Sequence, residues 1–273
     1  MHPTDVRDTR KWDTVVELSN VTKRFRRLVK GGLFKREYTD IYALSHVDLA
    51  VKKGEFIAYA GPNGAGKSTT FKLLCGMLAP NEGDIRLFGM DPIRDRIPVM
   101  KRTGVLFGNR SELWWDHPLR SSFEWKREVW NIPKADYEQR LEQLTHELGL
   151  AGFMDAFVRE LSLGQRMRGN LALTLLHNPE LVLLDEPTLG LDVLAKRDLI
   201  QTLKRINREQ GVTLIVTSHD MDDLRDMANR LVLIHEGVIR YDGSFDNLLE
   251  HADRTDFEAI IARMYREWQP ETV

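Results

Sequence analysis

The sequence predicts an α/β protein with a mostly parallel sheet, an antiparallel β subdomain and an α-helical subdomain. Three observations predict it. A glycine-rich turn, Gly61-Pro62-Asn63-Gly64-Ala65-Gly66-Lys67-Ser68-Thr69, lies between an apolar run, Phe56–Ala60, and a helix-compatible run, Thr70–Leu74. Two more short apolar runs, Leu181–Leu184 and Thr213–Thr217, have the unbroken hydrophobicity of strands covered on both faces. A helical stretch from about Ala195 to Gln210 separates these two, which makes a βαβ crossover. Between the two halves, a block of roughly residues 117–170 carries helical periodicity. The main domain is therefore expected over residues 14–250, with the helical block inserted in it and a short helical tail over 251–273.

The elements follow in chain order. Val15–Leu18 and His46–Val51 read as antiparallel strand material. The basic stretch from Arg26 to Asp40, with Gly31-Gly32 inside it, reads as an extended loop between those strands. Strand, glycine-rich turn, helix and a short strand, Asp84–Gly89, come next. In the helical block the pattern is clearest from Asp136 to Leu150, where Leu141, Leu144 and Leu148 recur three and four residues apart. Leu231–Ile234 and Val238–Tyr241, joined at Glu236-Gly237, read as a hairpin, and Asp253–Trp268 as an amphipathic helix.

Composition limits the function classes. With 39 Lys and Arg against 41 Asp and Glu, no electrostatic footprint calls for nucleic acid. The single cysteine, Cys75, sits among apolar residues, reads as a small core residue, and suits a reducing cytoplasm. The first residues have no apolar core of a signal peptide, and no run approaches the ~20 apolar residues that cross a bilayer. The chain is expected to be soluble and to reach a membrane only through a partner.

The glycine-rich turn fits the pattern of glycine, four residues, glycine, lysine, then serine or threonine. Gly61, Gly64 and Gly66 let the backbone N–H groups of the turn, Asn63 and Ala65 among them, converge on phosphate oxygens. The helix starting near Ser68 and Thr69 puts its positive end under the same anion. Lys67 can bridge the β- and γ-phosphates, and the Ser68 hydroxyl can bind Mg²⁺. Leu181–Leu184 ends in Asp185-Glu186-Pro187. Asp185 has the place of a carboxylate that holds Mg²⁺ through its water shell. Glu186 can polarise a water aimed at the γ-phosphate. The chain is expected to bind a nucleoside triphosphate.

Three further segments carry a resemblance. Leu161-Ser162-Leu163-Gly164-Gln165 resembles the LSGGQ signature of ATP-binding cassette ATPases, with Leu163 in place of the first glycine. Gly190-Leu191-Asp192 is similar to the family's D-loop. His219, in Thr217-Ser218-His219-Asp220, stands where the family has its switch histidine. The resemblance runs from about Val15 to Tyr241. It implies the two-subdomain ATPase fold built on a phosphate-loop core, with ATP and Mg²⁺ as cofactors. Phe25 would stack on adenine, with Tyr42 as the rival ring. Ser162, Gly164 and Gln165 would cap the γ-phosphate of ATP held by a second protomer, with Asp192 at the same junction, so that two chains sandwich two nucleotides. His219 would contact the γ-phosphate. Asn109, after Val105–Gly108, takes the place of a glutamine that touches Mg²⁺ and the attacking water, and is one methylene shorter. Leu163 and Leu113-Trp114-Trp115-Asp116 resemble an export-like branch with separate six-span permeases. The resemblance thus implies a cytoplasmic subunit, peripheral on the inner face of the membrane, paired with a permease and with a second copy or a paralogue. A soluble ATPase acting as an assembly factor is the alternative.

Overall fold

The computed structural model describes residues 13–31, 36–108, 111–249 and 257–268. Its centre is a six-stranded sheet. In chain order these strands are β3 (Phe56–Ala60), β5 (Thr103–Phe107), β6 (Leu181–Asp185), β7 (Thr213–Thr217), β8 (Arg230–His235) and β9 (Val238–Ser244). Their spatial order is β5-β6-β7-β3-β8-β9, with only the β8–β9 hairpin antiparallel. The short apolar runs are its central strands. Successive side chains alternate faces: Ala58, Val182, Leu184, Leu214 and Val216 join one buried cluster, and Ile57, Leu183 and Ile215 the other. Neither face meets solvent, so no polar residue interrupts these runs.

The first cluster lies under the helical block, α3 (Leu119–Trp130), α4 (Lys134–Glu147) and α5 (Leu163–Leu175), together with α6 (Val193–Gln210) and α7 (Met221–Met227). Leu141 and Leu144 lie on the buried stripe of α4 and Leu148 is buried at its C-cap, as their spacing predicts, and Tyr137 joins the stripe. The second cluster lies between the sheet, α1 (Lys67–Leu74) and an antiparallel sheet of β1 (Thr14–Gly31), β2 (Arg36–Lys52) and β4 (Glu82–Leu87), in the order β2-β1-β4. Cys75 is buried there. The short helices α2 (Arg96–Met100) and α8 (Phe245–Leu249) close turns, and α9 (Phe257–Glu267) docks on the first cluster through Ile261.

One expectation needs correction. The stretch from Arg26 to Asp40 is no loop: outside 32–35, which are not described, β1 and β2 continue through it as a two-stranded ribbon. Its cross-strand partners include Arg26 with Asp40 and Leu28 with Tyr38. The segment is too polar to read as a core strand, but a ribbon covered on neither face has no need of an apolar alternation.

Candidate nucleotide site

β3, β5, β6 and β7 all run the same way, so the turns that leave them meet at one edge of the sheet. That carboxyl edge is where open α/β sheets bind ligands. β3 delivers the glycine-rich turn there, β6 delivers Asp185 and Glu186, and β7 delivers Thr217 followed by His219.

The glycines are required by close packing. A Cβ on Gly61 would come within 2.2 Å of the Ile234 carbonyl oxygen, and one on Gly66, at φ 116°, within 2.5 Å of the Ala43 carbonyl oxygen. At Gly64, φ +82°, a Cβ would meet nothing within 4 Å. There the backbone faces open space, leaving room for an anion against the N–H groups. Asn63, Gly64 and Ser68 are exposed, Thr69 is half-buried, and Ala65, Gly66 and Lys67 are buried. Lys67 Nζ donates to the carbonyl oxygens of Gly61 (2.6 Å) and Pro62 (3.1 Å), so the ammonium lies inside the loop. Burial lowers its pKa from the ordinary lysine value, while the nearby carboxylates of Glu186 and Asp185 pull it back up.

Asp185 links the strands. Thr217 Oγ1 donates to its Oδ1 at 2.6 Å, and Ser68 Oγ donates to its Oδ2 at 3.4 Å. Glu186 has a φ of 54°, a conformation costly for a residue with a Cβ. Its backbone N–H is held by both the carbonyl and the hydroxyl oxygen of Thr217, each at 3.1 Å. That backbone turn places its Oε1 2.6 Å from His219 Nε2. A cavity of about 290 Å³ opens beside Ser68, Lys72, Phe107, Gly108, Asp185 and Glu186. A hydroxyl and a carboxylate oxygen on facing elements form a hard oxygen donor set. Among the described residues no group of three or more His, Cys, Asp or Glu could hold a metal alone. The pair therefore fits Mg²⁺, which takes one or two protein oxygens and completes its shell with water and phosphate.

Other expected residues are paired within their own segments or exposed. Ser162 caps α5: its Oγ accepts from Gln165 N–H, and Gln165 Oε1 accepts from Ser162 N–H. Asp192 caps α6 by accepting from Ala195 N–H at 2.9 Å. A Cβ on Gly164 would meet Ala195 Cβ at 3.1 Å, so these two helix starts are packed together. Around them Leu163, Leu189, Val193 and Leu194 are exposed, the last two by 81% and 74%. Phe25 and Tyr42 are both exposed on the ribbon. Phe25 pairs with Ile41 and Tyr42 with Arg24, so the rings lie on opposite faces and only one can stack on a given base. Asn109 lies outside the described residues.

The sequence reading missed two participants. Thr217 orders both Asp185 and Glu186. Lys196 of α6 lies 2.8 Å from Asp220 and 3.0 Å from Asp223, in the segment after His219.

A family model described as "ABC transporter" matches residues 44–189. The chain belongs to the ABC transporter family. It is an ATP-binding subunit of that family and an ATPase. It is 29% identical to the ABC transporter ATP-binding protein NatA of Bacillus subtilis (strain 168), over 81% of this chain and 89% of that one. It is 31% identical to the probable multidrug ABC transporter ATP-binding protein YbhF of Escherichia coli (strain K12), over 95% of this chain. A sulfate/thiosulfate import ATP-binding protein, CysA of Mycobacterium tuberculosis (strain ATCC 25618 / H37Rv), matches at 34% over 77% of this chain. The chain spans only 43% of YbhF and 59% of CysA. Among solved structures, a dimeric ATP-binding cassette in a post-hydrolysis state bound to ADP and Pi superposes with a TM-score of 0.70. The match is 27% identical and covers 84% of this chain and 98% of that one.

Proposed function

We propose that this chain drives a separately encoded membrane permease by hydrolysing ATP in a head-to-tail dimer, with itself or a paralogue, on the cytoplasmic face of the membrane. The observation that carries the chemistry is the Glu186–His219 contact of 2.6 Å beside the Asp185–Ser68 pair. The N–H groups around Gly64 and the start of α1 bind the phosphates, and Lys67 neutralises them from within the loop. Ser68 and Asp185 would hold Mg²⁺, which supplies charge neutralisation on the phosphate oxygens when bound. Glu186 accepts a proton from the attacking water, and His219 fixes the carboxylate by donating from Nε2. The adenine ring goes to Phe25 or Tyr42.

The dimer reading rests on the cap at Ser162 and on its exposed apolar surround. A helix start with a satisfied cap still presents further N–H groups to an anion, and Val193 and Leu194 need a partner surface. Among the described residues no helix is long and apolar enough to cross a membrane; the permease reading rests on the family to which the chain belongs. It rests also on an exposed aromatic patch: Leu113 is buried, but Trp114 and Trp115 are exposed by 38% and 55%, and Trp114 lies 5.7 Å from the exposed Trp125. Such tryptophans suit a partner's helix. The relatives' names include both multidrug transport and sulfate import. Export is our reading from Leu163 and Leu113–Asp116.

Glu186→Gln tests the chemistry. Phosphate release should fall by the ~10²–10⁴-fold typical of a lost general base, while ATP binding persists. Near-normal release would remove Glu186 from the reaction.

A further inference from the structure

β4 supports β1 only from Val16 to Thr22; beyond that point β1 and β2 leave the sheet as a two-strand ribbon. A ribbon of two strands alone is marginal in water, and this one leaves large apolar groups uncovered. Leu28 and Tyr38, directly paired, are exposed by 49% and 55%, and Ile41 on the opposite face by 43%. Residues 23–40 carry seven Lys and Arg against two acids, within a chain of net charge −2. The acids do not balance the arginines. Arg24 and Arg26 share Asp40, at 3.3 and 3.5 Å, and Arg27, opposite Thr39, has no ionic partner among the described residues.

We propose that the outer part of this ribbon is a docking surface for an anionic lipid membrane. Both of its faces are cationic and apolar together. A folded protein partner would cover one face and leave the other as it is, and a nucleic acid would leave Leu28, Tyr38 and Ile41 without apolar contact. A fluid lipid interface surrounds the ribbon and satisfies both faces. The Leu28–Tyr38 pair enters the headgroup layer, where a tyrosine ring keeps its hydroxyl wet, and Arg26 and Arg27 reach lipid phosphates on either side. The cytoplasmic leaflet is anionic and attracts such clusters. The membrane's nearness rests on the permease reading above; the ribbon's affinity for lipid does not.

The test uses the full purified chain and phosphatidylcholine vesicles with rising phosphatidylglycerol, read by co-sedimentation. Binding should rise with the anionic fraction and weaken in high salt. Each basic residue near an anionic surface is worth about 1 kcal/mol, or about fivefold. The Arg26→Glu/Arg27→Glu chain should therefore bind at least about twenty-fold more weakly. Arg94→Glu/Lys134→Glu, the same charge change on exposed side chains elsewhere, should bind nearly as the parent does. ATP hydrolysis without vesicles should be unchanged in both. Tyr38→Trp should gain quenching by brominated lipid relative to the parent. No dependence on phosphatidylglycerol, equal losses in both double variants, no added quenching, or tighter binding to duplex DNA than to the vesicles would each overturn the proposal. Failure here with ATPase activity intact would leave the transporter reading standing.

Discussion

Lys196 ties α6 to the segment after His219. It projects from α6, the helix capped by Asp192, and its ammonium reaches Asp220 and the buried Asp223 just past His219. The hydrogen bond to Asp220 holds its pKa above the ordinary lysine value, so it stays charged. A cavity of about 170 Å³ runs between Glu186, His219, Lys196 and these acids. Lys196 thus fixes where His219 stands relative to the start of α6. A misplacement of ~1 Å in such an arrangement costs about a hundredfold. Lys196→Met should lower kcat by tens to a hundredfold with KM for ATP nearly unchanged, and Lys196→Arg should recover most of the loss. A Met variant with parental kcat would leave the contact without a catalytic consequence. The sequence could not reveal this residue, because a lysine in an amphipathic helix is ordinary. Lys67, Ser68, Asp185, Glu186 and His219 were legible because each sits at a fixed place after an apolar strand, and the parallel sheet gathers those places at one edge.

At the scale of elements, legibility followed the burial of faces. Strands covered on both sides and helices with one buried stripe have a periodicity that can be read; the ribbon, covered on neither side, has none and reads as a loop. α5 is an instance of a legible helix with a hidden dependence. At its end His177 stacks on Trp130 of α3 at 4.2 Å, and its Nε2 donates to the Thr103 carbonyl oxygen at 3.2 Å. Its Nδ1 is buried without a partner. Burial, with Lys126 and Arg140 adding to it, lowers its pKa to about 4. The folded state then resists a proton that the unfolded chain accepts near pH 6.5, so stability falls as pH drops from about 6.5 toward 4. Between pH 7 and 5 this amounts to at most ~2 kcal/mol, less where solvent reaches the ring. Denaturant unfolding at several pH values should show His177→Phe losing less stability than the parent over that window. Equal slopes would mean that His177 is protonated in the folded state as readily as in the unfolded one.

At the scale of the molecule, the expected site residues fall into two locally bonded units. The phosphate loop, Asp185 and Glu186 are joined by hydrogen bonds across β3, β6 and β7. Ser162 and Asp192 form a second unit, packed together and fringed by exposed Leu163, Val193 and Leu194. If the second unit serves the nucleotide of another chain, damage to the two halves must complement. Ser162→Arg spoils the capped helix start and leaves the phosphate loop intact; Lys67→Ala does the reverse. In an equimolar mixture half the dimers are mixed, and each mixed dimer contains one site built from two intact halves. Hydrolysis should then return to about a quarter of the parental rate, if sites act independently in a two-fold dimer. Each variant alone should stay near background, and the rate of the parent should rise more than linearly with protein concentration. A mixture as inactive as its components, at concentrations where the parent dimerises, would place Ser162 outside the hydrolytic site. The exposed Val193 and Leu194 would then need a different partner.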